Sequence, residues 1–204
     1  NELLAIFALV GSSLYFINYQ RFDEYKVYGK LYIPNMQKII FKNKLGKIVH
    51  SDALKYLQGN IKSDSVDLIM TSPPFALIKK KSYGNEDNNS YLKWIKPFLK
   101  QFKRVIKPSG SIVIDIGGGW NKGFPTKSIY QYKLIVMIVE ELGMHLIHDY
   151  FWWNPNKLPT PAEWVTIRRI RVKDAVNNIF WIAKTPYPKA SNKRVLNPYS
   201  KRME

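Results

Sequence analysis

Hydrophobic and polar positions fall into blocks along this chain, and the period changes from block to block. VDLIMTSPPF (66–75) is continuously apolar and ends in two prolines. That is the pattern of a strand covered on both faces and stopped where no backbone N–H remains for a ladder. SIVIDI (111–116) predicts a second buried strand, with Lys107-Pro108-Ser109-Gly110 before it as a turn. MHLIHDYFWW (144–153) and NIFWIAKT (178–185) predict a third and a fourth. YLKWIKPFLKQFKRVIK (91–107) and KSIYQYKLIVMIVEEL (127–142) carry apolar residues at helical spacing. Pro97 sits where a kink would fall in the first helix, and Gly143 closes the second. IIFKNKLGKIVH (39–50) reads as a hairpin around Lys44-Leu45-Gly46. SDALKYLQ (51–58) reads as an aspartate at a strand end followed by a short helix, and IKKKSYGNEDNNS (78–90) as a charged loop.

Strands alternating with helices in buried-strand sequence predict an α/β open sheet. The length of 204 residues suits one domain of ordinary size. Three regions are expected: an N-terminal extension over 1–38, a central domain over 39–185, and a basic tail over 186–204. The extension opens with NELLAIFALVGSSLYFINYQ, an apolar run about as long as a short membrane span. It has no basic n-region, and Gly11-Ser12-Ser13 interrupts it, so a signal peptide or membrane anchor is disfavoured. A buried or partner-facing helix is the preferred reading there, with a segment of no structural role as the third choice. The expected location is the cytoplasm.

Charge narrows the function. Lys and Arg number 32 against 15 Asp and Glu, a formal net charge of +17, and a globular domain this basic usually meets a polyanion. Nucleic acid is the partner that charge favours; a lysine-rich proteome is the bland alternative. There is no cysteine, which excludes disulfides, zinc–thiolate sites and thiolate nucleophiles, and with them cytosine-C5 methylation. His50, His145 and His148 have no metal-like spacing with carboxylates, so no metal site is expected.

The most specific chemical signal is Thr71-Ser72-Pro73-Pro74-Phe75 at the C-terminal end of a strand, the edge where open α/β sheets bind ligands. Pro73 and Pro74 leave carbonyls free of ladder partners, Ser72 adds a hydroxyl, and Phe75 offers a flat face for a base. A strand end closed by a rigid turn would account for the prolines alone. TSPPF in its setting, however, resembles the target-base motif of amino-group DNA methyltransferases, in the Ser-Pro-Pro form typical of cytosine-N4 enzymes. Together with KPSGSIVIDIGGGWNKGFPTKSIY, YFWWNPNKLPTPAEWV and IRVKDAVNNIFWIAKT, it is similar to the PvuII-type cytosine-N4 methyltransferases of restriction–modification systems, over roughly residues 45–203.

The resemblance implies a Rossmann-like class-I methyltransferase sheet, S-adenosylmethionine as cofactor, and a flipped cytosine as substrate. It assigns catalysis to Ser72, Pro73, Pro74, Phe75 and Asp115. Strand order would place Asp115 beside Ser72; capping a turn or pairing with a lysine is its alternative role. The cofactor falls to Asp52, Ala53 and Thr71, although Asp52 is equally suited to cap a helix. Trp152, Trp153, Asn154 and Pro155 match a motif lining the target-base pocket. Lys79, Lys80, Lys81, Arg168, Arg169, Arg171 and Lys173 are expected on DNA phosphates, since phosphate contacts outnumber base contacts.

SIVIDIGGGW (111–120) imitates a cofactor loop without being one. Such a loop runs straight into a helix, with an acid about 20 residues on at the next strand end. Here Trp120 to Pro125 intervene, and Glu140 and Glu141 close a helix. The Phe-x-Gly-x-Gly cofactor loop that the permuted family type carries late is found neither in residues 186–204 nor in LLAIFALVGSSLYF. The sheet is therefore expected to lack the cofactor-loop strand, leaving the TSPPF strand as a bare edge. A second polypeptide would then supply the cofactor loop and the recognition region. The competing readings are an inactive truncated enzyme or DNA-binding remnant, a solitary enzyme with an unrecognised loop, and an adenine-N6 methyltransferase.

Overall fold

The computed structural model describes residues 5–10, 13–16, 38–44, 46–76 and 86–200, with backbone alone for 5–16. Its strands are β1 (Ala5–Val10), β2 (Ser13–Phe16), β3 (Lys38–Lys42), β4 (Lys47–His50), β5 (Val66–Thr71), β6 (Ile106–Gly117), β7 (His145–Trp153) and β8 (Val176–Ala183). The helices are α1 (Ala53–Asn60), α2 (Tyr91–Val105) and α3 (Tyr130–Val136), the last continuing through a wide π turn to Glu141. A second π turn spans Glu163–Ile167.

Six strands form one sheet in the order β2-β1-β5-β6-β8-β7. β1, β5 and β6 run parallel, β8 is antiparallel to β6, and β7 is antiparallel to β8. β3 and β4 make the separate hairpin that the sequence predicts. Ile69 of β5, Ile112, Ile114 and Ile116 of β6, and Phe180 and Ile182 of β8 share one core cluster with Tyr56, Leu57, Ile95, Leu99, Phe102, Leu134 and Ile138 of the helices. The other face is more open: Met70 is 46% exposed, and Val113, Asp115, Asn177, Ile179 and Trp181 are half-buried. β5 is thus covered fully on one face rather than two, because the helices described all contribute to that single core.

Three further expectations are corrected. The N-terminal run forms strands, not a helix. β1 lies parallel to β5, with Ala5, Ile6 and Phe7 opposite Leu68, Ile69 and Met70, so the TSPPF strand is not a bare edge. β1 then returns as antiparallel β2, with Val10 opposite Ser13, and does not run into a helix. An apolar segment beside the free side of β5 gains a ladder of backbone hydrogen bonds there, which outweighs its helical length. Lastly, Lys107 to Gly110 is no turn between elements but a bulge inside β6, between the pairs Val66–Ile106 and Leu68–Ser111. Gly110 fits there because a Cβ would lie 2.7 Å from Ile106 Cγ1 and 2.9 Å from the Asp67 carbonyl.

Helix ends are closed across the layer. α1 has no basic residue in its last turn, and Arg104 of α2 serves its carbonyls instead. The guanidinium donates to Leu57 O at 2.5 Å, Ile61 O at 3.0 Å and Ser63 Oγ at 3.2 Å, while Gln101 Oε1 holds its Nε at 2.7 Å. Lys103 Nζ serves the Leu142 carbonyl at 2.5 Å where Gly143, at φ +57°, turns the chain out of the third helix. Arg104→Met keeps the stem but loses the fork. It is expected to destabilise the fold by about 2 kcal/mol, the scale of hydrogen bonds to a charged group. Urea unfolding checks this, and an unchanged midpoint would remove Arg104 from the packing scheme.

Candidate active site

Four strands deliver polar residues to one edge of the sheet. Thr71 at the end of β5 is opposite Ile114 of β6, so Ser72 emerges beside Asp115. Asp115 and Gly117 are opposite Ile179 and Asn177 of β8. Asn177 in turn is opposite Trp152 of β7. Parallel pairing therefore brings the Ser-Pro-Pro segment to the aspartate, and antiparallel pairing brings Asn177 and the tryptophans to the same edge.

Side chains join across this edge. Ser72 Oγ donates to Asp115 Oδ2 at 3.2 Å. Asn177 Nδ2 donates to Asp115 Oδ1 at 3.2 Å, and Lys157 Nζ donates to Asn177 Oδ1 at 3.2 Å. Asp115 neither caps a turn nor pairs directly with a lysine among the described residues; its partners are Ser72 and Asn177. Ser72 is exposed, Pro73 and Pro74 are buried, and Phe75 is half-buried against the core. The outcome is a hydroxyl open to solvent whose proton already points at a carboxylate. Such a pair can accept a hydrogen bond from a substrate donor and pass a proton inward.

The triglycine run faces the protein itself. A Cβ on Gly117 would lie 2.7 Å from the Phe75 ring and 3.1 Å from Asn177 Oδ1. On Gly118 it would lie 3.0 Å from Asp174 Oδ2, and on Gly119 3.0 Å from the Ala76 carbonyl. All three vacant side-chain positions are filled by the chain's own atoms, which leaves no cradle there for a cofactor. The run is pinned by the buried Tyr130 hydroxyl, which donates to the Gly117 carbonyl, and by Ser128 N, which donates to Gly119 O at 2.8 Å. Burial pushes the Tyr130 phenol far above its ordinary pKa, so it stays a donor at every physiological pH.

The remaining sequence-predicted residues are dispersed. Asp52 caps α1, its Oδ1 accepting from Lys55 N at 2.9 Å, and is exposed. Its second carboxylate oxygen has no partner among the described residues. Ala53 packs its methyl in the core at 1% exposure and Thr71 is buried, so neither side chain is presented to solvent. Trp152 and Trp153 are 60% and 69% exposed, not core. Asn154 N bonds Ala175 O at 2.8 Å, and Lys173 Nζ reaches the Pro155 carbonyl at 2.5 Å. Arg168 pairs with Glu163 at 2.6 Å and lies over the Trp164 ring. Arg169 and Arg171 bond backbone carbonyls, so among the described residues these two and Lys173 meet no carboxylate. Lys79, Lys80 and Lys81 lie outside the described residues. No cluster of three metal-ligating side chains occurs among the described residues, and no described helix is long and apolar enough to cross a membrane.

Sequence reasoning missed Asn177, Lys157 and Tyr130. Asn177 is one residue ahead of the predicted fourth strand, and only its register against Gly117 reveals it. Gly117→Ala is expected to push the Phe75 ring off its seat. The clash should destabilise by about 1–3 kcal/mol and displace both Phe75 and Asn177. Thermal unfolding checks this, and wild-type stability would show that the edge can open freely.

Residues 66–204 match the family model described as DNA methylase. The chain is 45% identical over 159 residues to the type II methyltransferase M.PvuII of Proteus hauseri, covering 78% of this chain and 47% of that protein. It is 32% identical over 145 residues to M.BglII of Bacillus subtilis, covering 71% of this chain and 37% of that protein. The solved structure of the cytosine-N4-specific PvuII DNA methyltransferase superposes with a TM-score of 0.64 at 43% identity, over 76% of this chain and 53% of that one. The chain thus spans about half the length of the relatives it matches, or less. With its Rossmann-like class-I sheet, its Ser-Pro-Pro edge and these matches, the chain belongs to the DNA methylase family and is PvuII-like over most of its length.

Proposed function

We propose that this chain is the methyl-acceptor side of a cytosine-N4 DNA methyltransferase, acting on a cytosine flipped from duplex DNA. The observation that carries the reading is the Ser72–Asp115 hydrogen bond at the strand edge. Likeness to the solved cytosine-N4-specific PvuII DNA methyltransferase supports the choice of cytosine N4.

The exocyclic amine of cytosine is a weak nucleophile, because its lone pair is delocalised into the ring. Ser72 Oγ and the Pro73 carbonyl accept its two N–H bonds and turn the lone pair out of the ring plane. Ser72 can accept because its own proton is given to Asp115. The proton that the amine sheds passes to Ser72 Oγ as the hydroxyl proton moves to Asp115 Oδ2, leaving charge balanced. Phe75 supplies a flat surface for the flipped base, and the exposed Trp153-Asn154-Pro155 segment borders the pocket. S-adenosylmethionine, when bound, supplies an electrophilic methyl group. Asp52 fits it in one respect: the oxygen not used for capping is open to the adenine amino group. Ala53 and Thr71 would contribute backbone there. Lys79, Lys80, Lys81, Arg168, Arg169, Arg171 and Lys173 would meet DNA phosphates.

A further polypeptide supplying the Phe-x-Gly-x-Gly loop and the recognition region completes this proposal. Its support is that β1 turns back into β2 where a cofactor loop would run into a helix. The test is methyl transfer from labelled S-adenosylmethionine to unmodified DNA, with products identified as nucleosides by mass spectrometry. N4-methylcytosine is expected only when this chain is combined with the protein of the adjacent reading frame. The same product from this chain alone would remove the partner. N6-methyladenine would reassign the target base, and no product in either case would favour an inactive remnant. In the active preparation, Ser72→Ala and Asp115→Asn are each expected to lower kcat about a hundredfold or more, with DNA affinity nearly intact. Wild-type turnover in either variant would sink the assignment of that residue.

A further inference from the structure

We infer that Asn177 is a positioning residue that aims Asp115 at Ser72, and that Lys157 fixes the direction of the Asn177 amide. The kinetic part rests on the methyl-transfer reading above; the structural part does not.

A carboxylate held through one oxygen still turns about its terminal torsion, which has a broad, two-fold profile. Asp115 is held through both: Oδ2 accepts from Ser72 and Oδ1 from Asn177, each at 3.2 Å. The second contact turns a rotating acceptor into a fixed one. An asparagine amide can face either way, and here its surroundings permit only one orientation. Lys157 is a donor without acceptor capacity, and an ionised Asp115 is an acceptor without donors. Flipping the amide would set NH2 against ammonium and carbonyl against carboxylate. With the Lys157 Nζ on Oδ1 at 3.2 Å, the NH2 group must face Asp115.

The backbone fixes where this amide starts. Asn177 lies in the ladder between β6 and β7, opposite Gly117 on one side and Trp152 on the other. Gly117 leaves the space the amide occupies, since a Cβ there would sit 3.1 Å from Asn177 Oδ1. Lys157 comes from the connection that begins at Asn154, and its own N–H bonds the Asn154 carbonyl at 3.3 Å. The segment bearing Trp153, Asn154 and Pro155 is therefore tied, through two side chains, to the acid that faces Ser72.

The decisive variant is Asn177→Asp, which keeps the shape but replaces the donor facing Asp115 with a like charge. Its expected effect is a fall in kcat of about tenfold to a hundredfold, the loss of one hydrogen bond to a charged group. KM for DNA and for S-adenosylmethionine should stay within about twofold, since uniform binding is not touched. Lys157→Met should lower kcat less, and Lys157→Arg should restore it; the pair carries the kinetic test if Asn177→Asp does not fold. A raised KM at unchanged kcat, or equal loss in Lys157→Met and Lys157→Arg, would overturn the inference. An arm independent of catalysis follows the side-chain amide of Asn177 by nitrogen–proton NMR in the full chain. Its cross-peak, identified by its loss in Asn177→Ala, should move on Asp115→Asn. An unmoved peak overturns the contact. A moved peak with no methyl transfer by the wild type would leave the inferred contact standing and the functional reading refuted.

Discussion

The register between β5 and β6 is the constraint on which everything at the candidate site depends. Thr71 pairs with Ile114, so Ser72, where β5 ends, stands level with Asp115 of β6. The register is held by Ile112, Ile114 and Ile116, all buried on the helical face. A slip of one residue would turn Asp115 into that face, where an unpaired carboxylate is strongly disfavoured, and turn isoleucines out. The apolar core thus sets the hydroxyl-to-carboxylate distance without touching either group. β1 adds to this by pairing with the other side of β5, so that the Ser-Pro-Pro segment emerges from an interior strand.

Close approach is the second physical theme. After Asp115 the chain must pass between the Phe75–Ala76 segment, the Asn177 amide and the Tyr130 ring: a Cβ on Gly117 would lie 2.7 Å from the Phe75 ring and one on Gly119 3.0 Å from the Ala76 carbonyl, while one on Gly118 would meet Asp174 Oδ2 at 3.0 Å. Space favours glycine at Gly117, against the Phe75 ring, and at Gly119, against the Ala76 backbone; none of the three needs a positive φ. Tyr130 sits beneath, edge-on to Tyr91 with ring centroids 4.9 Å apart, and fixes the Gly117 carbonyl from the core side. The glycine-rich run is a packing device that lets the Ser-Pro-Pro segment and the acid-bearing strand sit against each other.

Charge is arranged differently at the edge and on the surface. At the edge, Lys157 acts through an amide and does not neutralise Asp115 directly. On the surface, Lys96–Glu141, Lys107–Asp67 and Lys184–Asp64 are exposed or half-exposed pairs, which contribute little stability each. The 32 basic residues outnumber the 15 acidic ones, and the stretch around Arg169, Arg171 and Lys173 is braced by backbone carbonyls that leave its charge intact.

The sequence by itself determined what is local. Alternation and apolar runs located the hairpin at 39–50, strands β5 to β8 and helices α1 to α3. The Ser-Pro-Pro ending marked the candidate edge, and Asp115 stood out near the end of the buried SIVIDI run. Tertiary structure decided what joins residues far apart in the chain. Ser72 meets Asp115 across 43 residues, and Asn177 meets it across 62; strand register and the space beside glycine set both contacts, and neither has a period in sequence. The same holds for the N-terminal run, which reads as a helix in isolation and pairs as a strand along β5. Periodicity reports which face of a segment is apolar; only packing reports which neighbour that face meets.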